Sequence, residues 1–230
     1  MKVEAIIPTA GLGIRLSRKR PKPLIVIDGE PLFVHTLKVF EKAYCVDSVI
    51  LVVHSRYRTS YEKYVKKYRL SKVKIVMVGG ETRQESVKRA IEYLDKKTRM
   101  VLIHDGVRPF ISLKLIQKAV DLCKKHRAVV VAVPVKQTIK RVDDQGFVEA
   151  TLKRHKLWEV QTPQVFRRDI LEKAYRGNQM SLVTDDASLV ENIGIKVKVA
   201  EGDYANIKIT TPEDLMMAQM FLKQHKKKIS

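Results

Sequence analysis

The sequence has few cysteines and no long apolar run. Only Cys45 and Cys123 occur among its 230 residues, so a disulfide framework is excluded, and a cytosolic compartment would keep both thiols reduced. Cys123 and His126 could supply two metal ligands but not the four of a structural zinc site. The N-terminal apolar run is too short for a signal peptide and contains Pro8, and no window approaches the roughly 18 apolar residues of a membrane helix. We therefore expect a soluble, cytoplasmic protein that binds no membrane.

Acidic residues are also scarce. The 45 Lys and Arg residues outnumber the 25 Asp and Glu residues, which gives a formal net charge of +20. A basic surface can bind nucleic acid by releasing counterions, and eight basic residues accompany only Glu62 between Arg56 and Lys74. Aromatic residues make up only 7%, however, and neither zinc-finger spacing nor an aromatic RNA-binding strand is present. These absences favour a solvated basic surface, and a nucleic-acid-binding protein is kept only as an alternative.

The apolar fraction of 45% is typical of a globular protein, and no linker-like block divides residues 1–230. Short β-branched runs alternate with segments of helical period, which predicts a single α/β domain. Its three-layer sandwich would have a mostly parallel central sheet. The predicted strands are Val3–Pro8, Ser48–Val53, Val73–Val78, Met100–His104, Val129–Val133 and Lys196–Ala200, and the predicted helices are Leu32–Tyr44, Tyr57–Arg69, Arg83–Leu94 and Leu113–His126.

The alternation stops after Pro134. Residues 135–161 have strand-like stretches on both sides of a turn signal at residues 143–146, which predicts a protruding β-hairpin arm. A two-stranded hairpin is marginal in water, so we expect it to pack on the body or on another subunit. The last helix should begin at Pro212, with Thr211 as its N-cap.

Ligands of open α/β sheets bind beyond the carboxyl ends of the strands. The first predicted strand leads into a loop with Gly11 and Gly13, whose backbone amides could approach a phosphate. A dinucleotide fingerprint would need a third glycine at Leu16. Two prolines and an early strand at 24–27 replace the usual helix. We interpret this loop, with Arg15 and Lys22, as one that wraps a triphosphate.

Three other loops carry candidate ligand-binding residues. Gly79 and Gly80 precede a helix from which Ser86 could hydrogen-bond a flat ligand. Asp105 follows a central strand and could hold a nucleotide-bound Mg²⁺, whereas His104 is interpreted as a packed neighbour. Lys208 lies before the last helix, on one face of an expected edge strand.

Motifs for covalent serine catalysis or zinc-dependent hydrolysis are missing: the sequence has no G-x-S-x-G elbow and no H-E-x-x-H helix. Glycine loops with Lys, Arg and Asp favour phosphoryl or nucleotidyl transfer, which depends on positioning and charge neutralisation.

Eight strings in one order resemble the 2-C-methyl-D-erythritol 4-phosphate cytidylyltransferases of the non-mevalonate isoprenoid pathway. The ribitol-5-phosphate cytidylyltransferases are close relatives of that family and the main alternative for the substrate. The strings are PTAGLGIRL, Pro21-Lys22-Pro23, GGETRQESV, HDGVRP, PVKQTIK, TPQVF, TDDAS and NIKIT.

The resemblance implies a Rossmann-like nucleotidyltransferase fold and transfer of CMP from CTP to methylerythritol phosphate, with Mg²⁺ or another divalent cation near Asp105. Arg15, Lys22 and Lys208 would offset phosphate charge. The implied CTP-binding residues are Thr9, Ala10, Gly11, Gly13, Gly80, Arg83, Ser86, Asp105 and Gly106.

The resemblance also gives the arm a role, as a segment exchanged between the subunits of a homodimer. Thr138 and Arg154 on the arm would hold the sugar phosphate in the partner's site. Arg108, Thr162 and Thr184 would line the same pocket.

Two positions depart from the family pattern. Thr9 stands where the family usually has alanine, and Gly106-Val107 stands in place of a pair such as Ala-Ala. We expect the first change to add a hydroxyl near the base-binding turn and the second to loosen the loop that carries Asp105.

Overall fold

The computed structural model describes residues 1–11, 21–177 and 184–227. Within these ranges the strands are β1 (Lys2–Pro8), β2 (Val26–Ile27), β3 (Glu30–Pro31), β4 (Ser48–Val53), β5 (Val73–Val78), β6 (Thr98–Ile103), β7 (Ala128–Pro134), β8 (Lys140–Val142), β9 (Val148–Thr151), β10 (Trp158–Arg167) and β11 (Lys198–Glu201). The helices are α1 (Leu32–Lys42), α2 (Arg58–Lys67), α3 (Arg83–Ile91), α4 (Leu113–His126), α5 (Arg168–Arg176), α6 (Asp186–Asn192) and α7 (Pro212–Lys227).

Seven strands form one central sheet in the order β11-β7-β10-β6-β1-β4-β5. Neighbouring strands are parallel except at β10, which runs antiparallel to both β6 and β7. Because β1, β4, β5 and β6 share one direction, their carboxyl ends meet at the same edge, where the predicted ligand loops begin.

Helices cover both faces of the sheet, and a separate core lies under each layer. Along β1, Ala5 and Ile7 face one core and Ile6 faces the other. This two-sided burial is why the strands are nearly continuous apolar runs in the sequence. The predicted three-layer α/β sandwich with a mostly parallel sheet is confirmed. No helix in the described ranges is long and apolar enough to cross a membrane.

The sequence patterns missed one central strand and two helices. Strand β10 carries the buried polar residues Gln161, Thr162 and Gln164, which hide its strand character, and helices α5 and α6 are short. The early strand expected at 24–27 is instead a 3₁₀ turn at Lys22–Leu24 followed by the two residues of β2. Most other boundaries differ by only a few residues.

Strands β8 and β9 form a separate two-stranded hairpin, whose turn contains Gly146 at φ +88°. Val142, Phe147 and Val148 are each more than half exposed on it. The arm range expected from the sequence, 135–161, was too long at its end, because residues 158–161 belong to β10 in the central sheet. Trp158 pairs there with Pro134, so the hairpin leaves and rejoins the sheet at neighbouring points.

Candidate functional site

A cleft of about 250 Å³ lies at the carboxyl ends of the parallel strands. The loops after β1, β5 and β6 line it, together with the segment before α7. Its walls contain many of the sequence-predicted residues, namely Thr9, Ala10, Gly11, Lys22, Gly80, Arg83, Ser86, Asp105 and Lys208. The predicted residues Gly13 and Arg15 lie outside the described residues.

Asp105 is the centre of a charged cluster. Its Oδ1 lies 3.3 Å from Arg83 Nε, and its Oδ2 lies 2.9 Å from Lys208 Nζ and 3.5 Å from Arg108 Nε. Burial by itself would raise the pKa of this carboxyl, but the charges of Arg83, Lys208 and Arg108 outweigh that effect and hold the pKa well below its usual range. Asp105 is therefore ionised at neutral pH.

Lys22 and Lys208 reach the cleft from opposite ends of the chain. Lys22 Nζ lies 3.4 Å from the carbonyl oxygen of Thr210. The segment that carries Lys208 is held by the Ile209 amide, which donates to Val107 O at 3.0 Å. This segment is not a strand, and Asn206 is fully buried instead of sharing the exposed face of Lys208.

The loop after β5 is shaped by close packing around Ser86. The amide of Gly80 donates to Ser86 Oγ at 3.1 Å, and that hydroxyl donates to Thr82 O at 2.9 Å. A Cβ on Gly79 would lie 2.5 Å from Ser86 Oγ, so this position requires glycine. Ser86 thus holds the loop in shape as well as lining the cleft.

A second cleft of about 360 Å³ adjoins the first. Arg83, Asp105 and Lys208 line both clefts and so form their shared wall. The three body residues expected to bind the sugar phosphate, Arg108, Thr162 and Thr184, all line the second cleft.

Hydrogen bonds fix the side chains at the back of this second cleft. Arg108 Nη1 donates to Asn206 O at 2.8 Å, and the Asp105 amide donates to Thr162 Oγ1 at 3.1 Å. His104 lies behind them, 3.1 Å from both Thr162 Oγ1 and Arg108 O. Burial lowers the pKa of His104 to about 4. It is a neutral packed residue at physiological pH, as the sequence indicated.

The two predicted arm residues lie elsewhere. Thr138 and Arg154 are exposed and line neither cleft of their own chain. Arg154 Nη1 donates to Lys136 O at the base of the arm, at 2.6 Å.

Thr9 and Gly106, which both depart from the family pattern, compensate for each other. The Thr9 hydroxyl donates to Val52 O at 2.7 Å, so it is bonded to the neighbouring strand. A Cβ on Gly106 would lie 2.3 Å from Thr9 Cγ2. The methyl group of Thr9 therefore occupies the space that a side chain at position 106 would need.

The sequence interpretation missed three residues of the site, which are Tyr175, Asp186 and Asn206. Asp186 accepts from Arg83 Nη2 at 2.7 Å and from the Tyr175 hydroxyl at 2.5 Å. Asn206 donates to Thr162 O at 2.8 Å. Asp186 and Asn206 lie within the recognised TDDAS and NIKIT strings, but no local pattern indicates their partners.

Asp105 offers a nucleotide-bound divalent cation one carboxylate ligand. No group of three or more His, Cys, Asp or Glu side chains that could hold a metal occurs in the part of the chain that the structure describes. Mg²⁺ can be held by one or two carboxylates when phosphate oxygens and waters supply its other ligands. Asp105 is ionised and lines both clefts, so it can supply one such carboxylate when nucleotide phosphates neutralise the three cations that face it.

The comparisons with known proteins identify the same family as the sequence motifs. The family model for 2-C-methyl-D-erythritol 4-phosphate cytidylyltransferase (IspD) matches residues 3–224. The sequence is 46% identical to the protein of that name from Alkaliphilus metalliredigens, over 98% of this chain and 95% of the relative. It is 40% identical to that from Syntrophus aciditrophicus, over 99% of both chains.

Solved structures are similar over nearly the whole chain. The crystal structure of 4-diphosphocytidyl-2C-methyl-D-erythritol synthase from Anaerococcus prevotii has a TM-score of 0.85 and 34% identity, and the match covers 96% of each chain. The Francisella tularensis 2-C-methyl-D-erythritol 4-phosphate cytidylyltransferase has a TM-score of 0.82 and 32% identity, covering 96% of this chain and 99% of that one.

The contact between Thr9 and position 106 predicts a paired stability effect. Gly106→Ala alone should lower the free energy of unfolding by about 1–3 kcal/mol, because the new methyl group overpacks against Thr9. In a Thr9→Ala background, Gly106→Ala should lower the free energy of unfolding by much less. Urea denaturation of the four proteins of this cycle measures the coupling, and equal costs in both backgrounds would contradict the compensation.

Proposed function

Because the chain belongs to the family of 2-C-methyl-D-erythritol 4-phosphate cytidylyltransferases, we propose that it transfers CMP from CTP to 2-C-methyl-D-erythritol 4-phosphate. The products are 4-diphosphocytidyl-2-C-methyl-D-erythritol and pyrophosphate, in the non-mevalonate route to isoprenoids. The observation that supports this most directly is the wall shared by the two clefts, where Arg83, Lys208 and Asp105 meet. A nucleotide in one cleft and a sugar phosphate in the other would bring their reacting phosphates into contact beside these three side chains.

The reaction is an exchange of bonds at the α-phosphorus. A phosphate oxygen of the sugar phosphate forms a bond to this phosphorus, and the bond to the leaving pyrophosphate breaks. The attacking oxygen is already anionic, so the step needs no general base. This agrees with a buried, neutral His104 and with cationic side chains that offset the charge of two phosphates.

We assign the CTP-binding role to the first cleft. The backbone at Thr9 and Ala10, with Gly80, Arg83 and Ser86, would contact the cytidine. The loop with Gly11, Gly13 and Arg15 would wrap the triphosphate. Gly106, whose amide donates to Pro8 O at 3.4 Å at the end of β1, would also contact CTP. Lys22 and Lys208 would offset charge at the α-phosphate and the leaving group. Asp105 would hold Mg²⁺ or another divalent cation, which would supply further charge neutralisation when bound.

The second cleft would take the sugar phosphate, through Arg108, Thr162 and Thr184. Thr138 and Arg154 of the partner subunit would complete it, delivered by the arm of a homodimer. Two features support the exchange: an isolated hairpin is marginal in water, and this one exposes several large apolar side chains.

Free, unpaired cysteines support a cytoplasmic location.

The activity itself is tested by pyrophosphate release from CTP and Mg²⁺ with methylerythritol phosphate as acceptor. We expect turnover with this acceptor and little with ribitol 5-phosphate. Turnover only with ribitol phosphate would assign the chain to the sister activity, and no turnover with either acceptor would contradict both.

Lys208 is expected to act mainly on the transition state. Lys208→Ala should lower kcat/KM by about 10²–10³, which corresponds to the roughly 3–4 kcal/mol of one preorganised charge contact, and Lys22→Ala should have a similar effect. The matched control is Lys118→Ala, since Lys118 Nζ donates to Glu201 O at the surface. Steady-state kinetics measure the loss; a Lys208→Ala enzyme as active as the control would refute the assignment.

Arm exchange predicts complementation between two inactive variants. Arg154→Ala should lose activity through its arm, and Lys22→Ala through its body. A heterodimer of the two has one intact body served by one intact arm, so mixing should restore about one working site. Mixing Lys22→Ala with Lys208→Ala is the control and should restore nothing. If the first mixture also stays inactive, each arm serves its own chain.

A further inference from the structure

Behind the shared wall of the two clefts lies a fully buried carboxylate, Asp186, at the start of α6. It is not among the residues that line either cleft. Its Oδ2 accepts from Arg83 Nη2 at 2.7 Å, and its Oδ1 accepts from the Tyr175 hydroxyl at 2.5 Å. The proposed chemistry gives this residue no role so far.

Arg83 depends on this carboxylate for its position. Its Nη2 contact with Asp186 is shorter than its Nε contact with Asp105, which is 3.3 Å. The guanidinium therefore spans two carboxylates, Asp105 in the wall and Asp186 behind it. A long arginine side chain has many rotamers, and without Asp186 only the longer of these two contacts would hold it in place.

The orientation of the Asp186 carboxylate is itself fixed by the surrounding structure. The Ala187 amide donates to Gln164 Oε1 at 3.0 Å, and Gln164 Nε2 donates to Asp185 Oδ2 at 2.7 Å, so the turn is attached to β10. Burial raises the pKa of Tyr175 well above its ordinary value, so its hydroxyl stays protonated and donates to Asp186.

We propose that Asp186 is a positioning residue of the nucleotidyl-transfer site. It acts through Arg83, which it holds in the wall between the clefts, and Tyr175 orients it. The inference rests on the proposed function for the identity of the ligands, and it adds a residue that touches neither substrate.

The test is a double-mutant cycle read out by CTP binding. Calorimetry with CTP and Mg²⁺, without an acceptor, should show at least tenfold weaker binding for Asp186→Asn. Arg83→Gln should show a similar loss, and the double variant should lose little more than Arg83→Gln alone. Independent, multiplying losses would mean that Asp186 does not act through Arg83, and would overturn the proposal.

The control is a second buried carboxylate far from the site. Glu4 is fully buried near the amino ends of the strands, where it accepts hydrogen bonds from Thr98 Oγ1 at 2.6 Å and from the Asp95 amide at 2.7 Å. Glu4→Gln should lower Tm and leave the affinity for CTP unchanged. If Asp186→Asn behaves in the same way, its role is only structural and the proposal is wrong.

A milder variant keeps the proposal testable if Asp186→Asn does not fold. Tyr175→Phe removes the hydroxyl that orients Asp186 but leaves the contact between Asp186 and Arg83. We therefore expect CTP binding to weaken only two- to fivefold. In the Arg83→Gln background, Tyr175→Phe should have no further effect on CTP binding. Unchanged binding in Tyr175→Phe would then overturn the proposal. Wild-type protein that binds CTP but releases no pyrophosphate would contradict the proposed function without affecting this test.

Discussion

The site depends on one buried negative charge, the carboxylate of Asp105. A carboxylate in a low-dielectric environment would take up a proton unless cations faced it. Arg83, Arg108 and Lys208 supply these cations, and they come from α3, from the loop after β6 and from the segment before α7. The cluster therefore ties together parts of the chain that are far apart in sequence, and it sets the wall between the two clefts.

The same cluster holds Arg83 in the wall that the two clefts share. Arg83 lies between Asp105 and Asp186, so its charge is shared by two fixed carboxylates. Preorganised charges of this kind need no rearrangement when a phosphate arrives. The second carboxylate makes that preorganisation possible, since a flexible arginine held by one longer contact would be free to leave the wall.

Most of the large positive charge lies outside this cluster. Arg58 pairs with Glu62 on the surface of α2. Lys38 of α1 and Lys67 of α2 lie over the ring of Tyr68. Exposed pairs of this kind contribute little to stability. The charge can still attract anionic substrates by long-range steering, which is consistent with a triphosphate and a sugar phosphate as ligands.

The sequence by itself determined the class of fold and the edge of the sheet where ligands bind. Continuous apolar runs require strands covered on both faces. The glycines, Asp105 and Lys208 could be recognised as candidate ligand-binding residues because they stand where predicted strands end or just before the last helix. Only the tertiary structure decided the antiparallel insertion of β10, whose buried polar residues mask its pattern. It also decided the pairing of Arg83 with Asp186, 103 residues apart, and the fit of Thr9 against Gly106. Such contacts are set by how distant segments pack in space, and no local periodicity or propensity encodes them.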